Sequence, residues 1–499
     1  MKKAISIILV LATLLSMTAC AKDNGDDTVS TSAQDAATTE ANNIPEIVYE
    51  DDDLPDDLDF GGTTINILSK DNSKEKNSLP EISAEELTNE VINDSIYNRE
   101  KFVEERLGVE INNPKTNDVR TAIEKQLSSG EDSYQIHAID GISLARVSMY
   151  NYFVDLYDLE YINFDKPWWS SIFNEEAEVF GKLYLTTGAL SLSLYREMYV
   201  IYYNTALAED YSVSNPELLD IYGIVDSGKW TIDKMTELGG NIYTDLNGNS
   251  IRDGEDLFGI AYTKTSSDAI WGSFDLNVFS KTEDGWFEFD VNTNKLYSAL
   301  EKMHNLFYNT QGCLASSNGD ELYNYDSEHL CSFFAGGSIL FVVNYMYAAE
   351  LSDLRNMKDN YGILPFPKYD ENQQQYYSCT SDIPTCFSIP TTNTDPDVAA
   401  AVLEAMASYS YRNTRIAYLD TALKGKYMND PDSRRMVDYI VNGYNVDASW
   451  IYFDMSLEYP ASFRYMLIDG ETGYASKHAS KEKQVQRSLK GYRAEFLDQ

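Results

Sequence analysis

Short apolar runs alternate with amphipathic helical stretches along most of this chain, and that alternation limits the folds open to it. Thr64–Leu68, Tyr134–Ile139, Met198–Tyr203 and Ser338–Asn344 each read as a short strand, the last two of buried type. Glu90–Leu107 places Ile92, Ile96, Val103 and Leu107 on one helical face, with Gly108 following as a C-cap. Thr121–Leu127, the amphipathic Leu296–Phe307, the apolar Ala399–Tyr411 and the basic Lys477–Arg493 read as further helices. Thr231 can cap a helix that carries Asp233 in its first turn. Tyr361–Pro367 is a strand running into an extended loop, because each proline biases its predecessor away from helix. Strands alternating with helices predict an α/β architecture with mainly parallel sheets. The 499 residues, 43% of them apolar, allow a sizeable core in two to four domains or one two-lobed unit.

Charge removes several functions. With 80 acidic residues against 39 Lys plus Arg, the formal charge is −41. Nucleic-acid binding draws on cations that neutralise phosphates, so no nucleic-acid partner is expected. An anionic membrane surface would not attract the chain either. Only four histidines are present, and neither a His-Glu-x-x-His pattern, a Gly-x-Ser-x-Gly elbow, a phosphate-binding loop nor a dinucleotide fingerprint occurs. A carboxylate pair for glycoside hydrolysis stays open, since so many acids place some pair close together. The chain is rich in aromatics, led by 37 Tyr, which suits partly polar ligand surfaces.

The first residues predict export. Lys2 and Lys3 precede an apolar run from Ala4 to Leu15, too short to span a hydrocarbon core of about 30 Å. Met17-Thr18-Ala19-Cys20 resembles a lipobox, which makes Cys20 the expected lipidation site; a plain secretory signal with an incidental Cys is the alternative. The segment 21–60 holds 13 acids and one Lys among Ser, Thr, Ala and Asn, and is expected to be a disordered acidic tether. Folded structure is expected from Gly61, on a body whose net charge is −31. Cys313, Cys331, Cys379 and Cys386 could pair as disulfides outside the cytoplasm or remain buried thiols.

The order of segments resembles the extracellular solute-binding proteins of ABC importers, family 1, the maltose-binding-protein-like group. The residues carrying it are the lipobox and tether, Tyr134–Asp140, Gly181–Tyr184, Tyr202–Asn204, Gly228–Asp233, Phe334–Gly337 leading into Ser338–Asn344, and Tyr361–Pro367. The resemblance implies a two-lobed periplasmic-binding-protein-like fold (type II) with a hinge and an interlobe cleft. It implies lobe 1 over 61–190 plus 341–385, and lobe 2 over 191–340 plus 386–499. Ligands of open α/β sheets bind beyond the carboxyl ends of strands, where Asp140 and the segment Asn344–Tyr347 stand. Expected ligand-binding residues are Asp140, Trp271, Asn344, Tyr345, Tyr347 and Asp382, carboxylates and amides for hydroxyls and aromatics for apolar ring faces. The implied role is capture of a carbohydrate, an oligosaccharide by expectation, by a lipid-anchored monomer on the outer face of the cytoplasmic membrane. The implied partner is the transmembrane part of an ABC permease. A secreted carbohydrate-active enzyme and a surface lipoprotein without transport are the alternatives.

One loop looks like a cation site. Asp245, Asn247, Asn249, Asp253 and Asp256 stand at positions 1, 3, 5, 9 and 12 of a calcium loop of the EF-hand type, with Ile251 at position 7 offering its carbonyl. Ser250 replaces the turn Gly, and Asp256 is shorter than the usual Glu. The expectation is that no cofactor is required, with a structural Ca2+ or an Asx-rich turn at this loop.

Overall fold

The apolar runs become strands buried on both faces. The structure is a computed structural model that describes residues 50–498 apart from 75–77, 264, 316–324 and 428–430. In chain order the strands are β1 (Thr63–Lys70), β2 (Val109–Asn112), β3 (Lys115–Thr116), β4 (Ile136–Asp140), β5 (Tyr199–Asn204), β6 (Tyr243–Thr244) and β7 (Leu257–Tyr262). They continue as β8 (Phe279–Lys281), β9 (Phe287–Phe289), β10 (Cys313–Ala315), β11 (Ile339–Tyr345), β12 (Tyr361–Pro365) and β13 (Thr385–Ser388).

Two larger sheets result, each with its own core. The first has the order β13-β4-β1-β2, with β3 also on β1; it is parallel except for β13. The second has the order β10-β7-β11-β5-β12, with β6 on β7. Here β7, β10 and β11 are parallel, while β5 runs antiparallel to both β11 and β12. A small hairpin, β8–β9, stands apart. The architecture is a mixed α/β fold of two lobes.

The expected helix after β1 forms over Val91–Leu107 and stops at Gly108, whose φ of 60° favours glycine. Its buried Arg99 donates to the Ile82 carbonyl and to Ser410 Oγ, both at 2.9 Å, and also to the Glu81 carbonyl. The helix Pro396–Tyr409 packs on it, with Phe102 against Tyr409 at 5.2 Å between ring centroids. π-helical turns then lead over Ser410–Thr414 and Ala417–Tyr427 towards the helix Pro431–Asn442, whose Ser433 Oγ accepts from the β12 amide of Ile363 at 3.0 Å.

Three expectations are corrected. The strand pairing puts β11 and β12 in the second sheet, although 341–385 was expected in lobe 1. Ile339–Val343 are buried throughout, and they pair with β5 on one side and β7 on the other, the position of a central strand. Conversely β13 pairs with β4, and the helix Pro396–Tyr409 packs on the first lobe, although the chain from 386 onward was expected in lobe 2. The folded body also begins before Gly61. Leu54 is buried, Asp52 meets Arg106 through two contacts of 2.6 Å, and Lys166 reaches Glu50 and Asp53, so part of the acidic stretch is fastened by cations of the body. Cys20 and the rest of the expected tether lie outside the described residues.

The thiols Cys313, Cys331, Cys379 and Cys386 are free. Trp168 and Trp169 are buried as loop residues packed on their lobe, and Trp169 Nε1 donates to Glu404 at 2.9 Å. Among the described residues no helix is long and apolar enough to cross a membrane.

Candidate functional site

Strand ends of both sheets meet around a cavity of about 640 Å³. From the first sheet come Ser69 and Lys70 at the end of β1, Ala138–Asp140 at the end of β4, and Thr385 at the start of the antiparallel β13. From the second come Tyr345, which ends β11, and Tyr347 just beyond it. The location obeys the rule that open α/β sheets bind ligands outside the carboxyl ends of their strands.

An aromatic pair forms one wall. Tyr345 and Tyr347 stack with centroids 5.4 Å apart and planes 18° from parallel. The turn that presents them is fixed from below: the buried Tyr202 hydroxyl lies 2.8 Å from the Met346 carbonyl and accepts from the Ala349 amide at 3.0 Å. Met346 N donates to the Met198 carbonyl at 2.9 Å, tying the same turn to the chain entering β5. Burial pushes the Tyr347 phenol up to about 12 and raises that of Tyr345.

Carboxylates and cations complete the lining. Asp140 caps the helix Gly141–Ser148 by accepting from Ser143 N at 2.8 Å. Asp382 opens on the cavity; enclosure by protein, with Asp140 nearby, raises its carboxyl above the usual range. Lys70, Lys115, Arg196, Glu197 and Glu328 also line the space. Glu81 reaches in from a loop and accepts from Ser193 N at 3.0 Å and from the Thr385 hydroxyl at 2.6 Å. Ser193 Oγ in turn accepts from Thr385 N at 2.9 Å, so the segments passing from lobe to lobe near Ser193 and Thr385 are joined at the cavity.

Of the residues expected from sequence, the structure brings Asp140, Tyr345, Tyr347 and Asp382 together here. Two expectations are corrected. Trp271 is buried in the second lobe against Tyr459 and Phe463, so it packs a core. Asn344 is buried as well, with Nδ2 donating to the Ser327 carbonyl at 3.0 Å and Oδ1 accepting from Tyr345 N at 2.8 Å. Sequence reasoning missed Glu81, Arg196, Glu197, Glu328 and the two lysines. Lys70 lies two residues beyond the predicted strand Thr64–Leu68 and ends the observed β1; the others sit in segments without a strand-end signal.

The loop 245–256 lies away from this cavity. Asp245 accepts from Gly248 N at 2.7 Å and Ser250 N at 3.0 Å, and Asn249 Oδ1 accepts from Ile251 N at 2.6 Å. Asn247 and Asp253 close similar turns on Asn249 N and Glu255 N, and the buried Asp256 accepts from the Tyr243 hydroxyl at 3.1 Å. Ser250 takes a φ of 63° at the position where calcium loops use Gly for a sharp turn. Among the described residues no three His, Cys, Asp or Glu side chains gather as a metal site.

No protein-family model matches the chain, and no curated protein sequence matches it. Solved structures do. The galacto-N-biose/lacto-N-biose I-binding protein of an ABC transporter from Bifidobacterium longum, in complex with lacto-N-biose, aligns with a TM-score of 0.56 at 12% identity, over 86% of this chain and 98% of its own. An ABC substrate-binding protein from Listeria monocytogenes in complex with cycloalternan gives 0.52 at 14% identity, over 86% and 99%. UgpB from Mycobacterium tuberculosis with glycerophosphocholine gives 0.51 at 14% identity, over 83% and 99%. The fold is that of the ABC-importer solute-binding proteins.

In a two-lobed fold of this kind the segments joining the lobes decide how the cavity opens, and here Glu81 holds two of them. Removing its carboxylate leaves the Ser193 amide and the Thr385 hydroxyl without their charged acceptor. Glu81→Ala is expected to lower the unfolding free energy by about 2–4 kcal/mol. Urea denaturation at neutral pH measures it; a change below about 0.5 kcal/mol would contradict the role given to Glu81.

Proposed function

We propose that this chain is the solute-binding protein of an ABC importer, capturing a carbohydrate in the cavity between its lobes and passing it unchanged to the membrane permease. One observation carries the reading: a cavity of about 640 Å³ at facing strand ends, lined by a stacked tyrosine pair together with carboxylates, lysines and hydroxyls. Sugars need both kinds of surface, apolar walls for ring faces and fixed polar groups for hydroxyls. Structural neighbours solved with lacto-N-biose and cycloalternan support a carbohydrate and, at this volume, an oligosaccharide. Closure follows if the ligand binds the closed arrangement more tightly than the open one.

Binding of the correct sugar is expected to stabilise the protein by about 2.7 kcal/mol at a hundred times Kd, with no product formed. Thermal melts of the full chain across a panel of neutral oligosaccharides, with chromatography of the recovered sugar, check both points. Absence of any stabilising sugar would defeat the reading, and turnover would replace it with an enzyme.

The same proposal includes a monomer held outside the cytoplasm through lipidated Cys20, in support of which stands the sequence Met17-Thr18-Ala19-Cys20 after a short apolar run. Cys20→Ala is expected to move the protein from the membrane fraction to the medium or periplasm. Retention of the variant at the membrane would refute the anchor.

We also propose a weak structural Ca2+ at the loop, held by Asp245, Asn247, Asn249, the Ile251 carbonyl, Asp253 and Asp256. The left-handed turn at Ser250 supports it. The ion would fix the loop and take no part in ligand capture. With Kd of about 1 mM, 10 mM Ca2+ is expected to stabilise by about 1.4 kcal/mol, an effect absent in Asp245→Asn. Calorimetry with and without a chelator decides, and equal melting temperatures for the wild type would exclude the ion.

A further inference from the structure

We propose that Arg196 is a positioning residue for the tyrosine pair of the cavity, and not a receptor for an anionic ligand. The proposal rests on the reading of the cavity as a solute site. A lone arginine lining a polar pocket would ordinarily suggest a carboxylate or phosphate ligand, because the guanidinium fork matches such groups in two places at once. Here the fork is already matched. Nε and Nη2 each donate to one oxygen of Glu350 at 3.0 Å, with both side chains largely shielded from solvent. Burial works against the Arg196 charge, and Glu350 more than offsets it, holding the guanidinium above its usual pKa. Diverting Arg196 to an anion would strand the Glu350 carboxylate in that shielded setting, where an uncompensated charge costs several kcal/mol.

What the locked guanidinium touches gives its role. Its central carbon lies 5.6 Å from the centroid of the Tyr347 ring. Tyr347 stacks on Tyr345, and Tyr345 lies 5.2 Å from Tyr199 at the start of β5, so four planar groups are ranged in contact from the interlobe segment to the sheet. Tyr345 is anchored from within the lobe, its hydroxyl 3.3 Å from Thr265 Oγ1. Arg196 secures Tyr347 from the side of the interlobe segment. Glu350 receives the Tyr418 hydroxyl at 2.9 Å as well, which brings the π-helical segment Ala417–Tyr427 into the same network. The aromatic wall of the cavity is thus set by a charge pair at the junction of two segments that run between the lobes.

The test separates this role from the ligand reading. Protein carrying 3-fluorotyrosine gives a Tyr347 resonance assigned by its loss in Tyr347→Phe. In the ligand-free state, Arg196→Met and Glu350→Gln, each confirmed folded by circular dichroism, are expected to shift and broaden that resonance. Arg196→Lys is expected not to restore it, since an ammonium offers neither the fork nor a plane to lie on the ring. An unchanged resonance in Arg196→Met, or full restoration by Lys, would overturn the proposal. With maltotetraose and lacto-N-biose as probes, Arg196→Met should weaken any binding seen in the wild type by about tenfold, within the range of a shielded cation–π contact. Inorganic phosphate should affect the melting of wild type and Arg196→Met alike; stabilisation of the wild type alone would make Arg196 an anion receptor and overturn the proposal. If the resonance shifts but no sugar binds, the positioning role stands and the carbohydrate reading falls.

Discussion

The buried guanidinium of Arg99 and the carboxylate of Glu81 gather the segments on which the two-lobed arrangement depends. Arg99 holds the carbonyls of Glu81 and Ile82, and reaches Ser410 where the π-helical stretch begins. Glu81, fixed by that grip, accepts from Ser193 and Thr385. Groups near Ser193, Thr385 and Ser410 are thus tied to one short loop. The arrangement is economical because charged hydrogen bonds are the stronger kind, and a shielded charge is costly to leave unpaired, so each partner enforces the other. The loop also lines the cavity, and so the joint between the lobes and the wall of the site are built from the same residues.

The net charge of −41 describes the surface and the N-terminal stretch better than it describes the site. Lys70, Lys115 and Arg196 stand in the cavity beside Glu81, Asp140, Glu197, Glu328 and Asp382. Much of this charge is spent internally: Arg196 on Glu350, Glu81 on the joint, Asp140 on a helix N-terminus. What faces a ligand includes oriented donors and acceptors of the kind that suit hydroxyl groups. Overall composition argued against a nucleic-acid partner, and it gave no measure of these local compensations.

Much of the fold was legible because its strands are apolar on both faces and its helices on one, patterns that burial imposes directly on sequence. Strand ends were legible for the same reason, which placed Asp140, Tyr345 and Tyr347 at the cavity. Trp271 was misplaced because its Ser-, Asp- and Gly-rich neighbours look like an open loop. Those residues instead form short turns buried beneath the helix Tyr459–Ile468, with Asp268 paired to Arg464, and such cover comes from a distant part of the chain. The lobe boundaries failed similarly. Whether β11 joins β5 or β1 is settled by pairing between remote segments, and local pattern is the same in either case. Glu81 and Arg196 gave no signal because a residue that works by reaching across loops leaves no period behind it.

The four thiols, three of them buried and Cys379 partly so, have one more consequence. Burial holds Cys313, Cys331 and Cys379 up to about 12, and Cys386 well above its ordinary value, so almost none of their sulfur is thiolate at neutral pH. Thiolate is the form that oxidants and disulfide exchange attack. In the folded body these four side chains are therefore a poor target for that attack. The cores of both lobes are thus closed by packing, with no disulfide among the described residues to hold them.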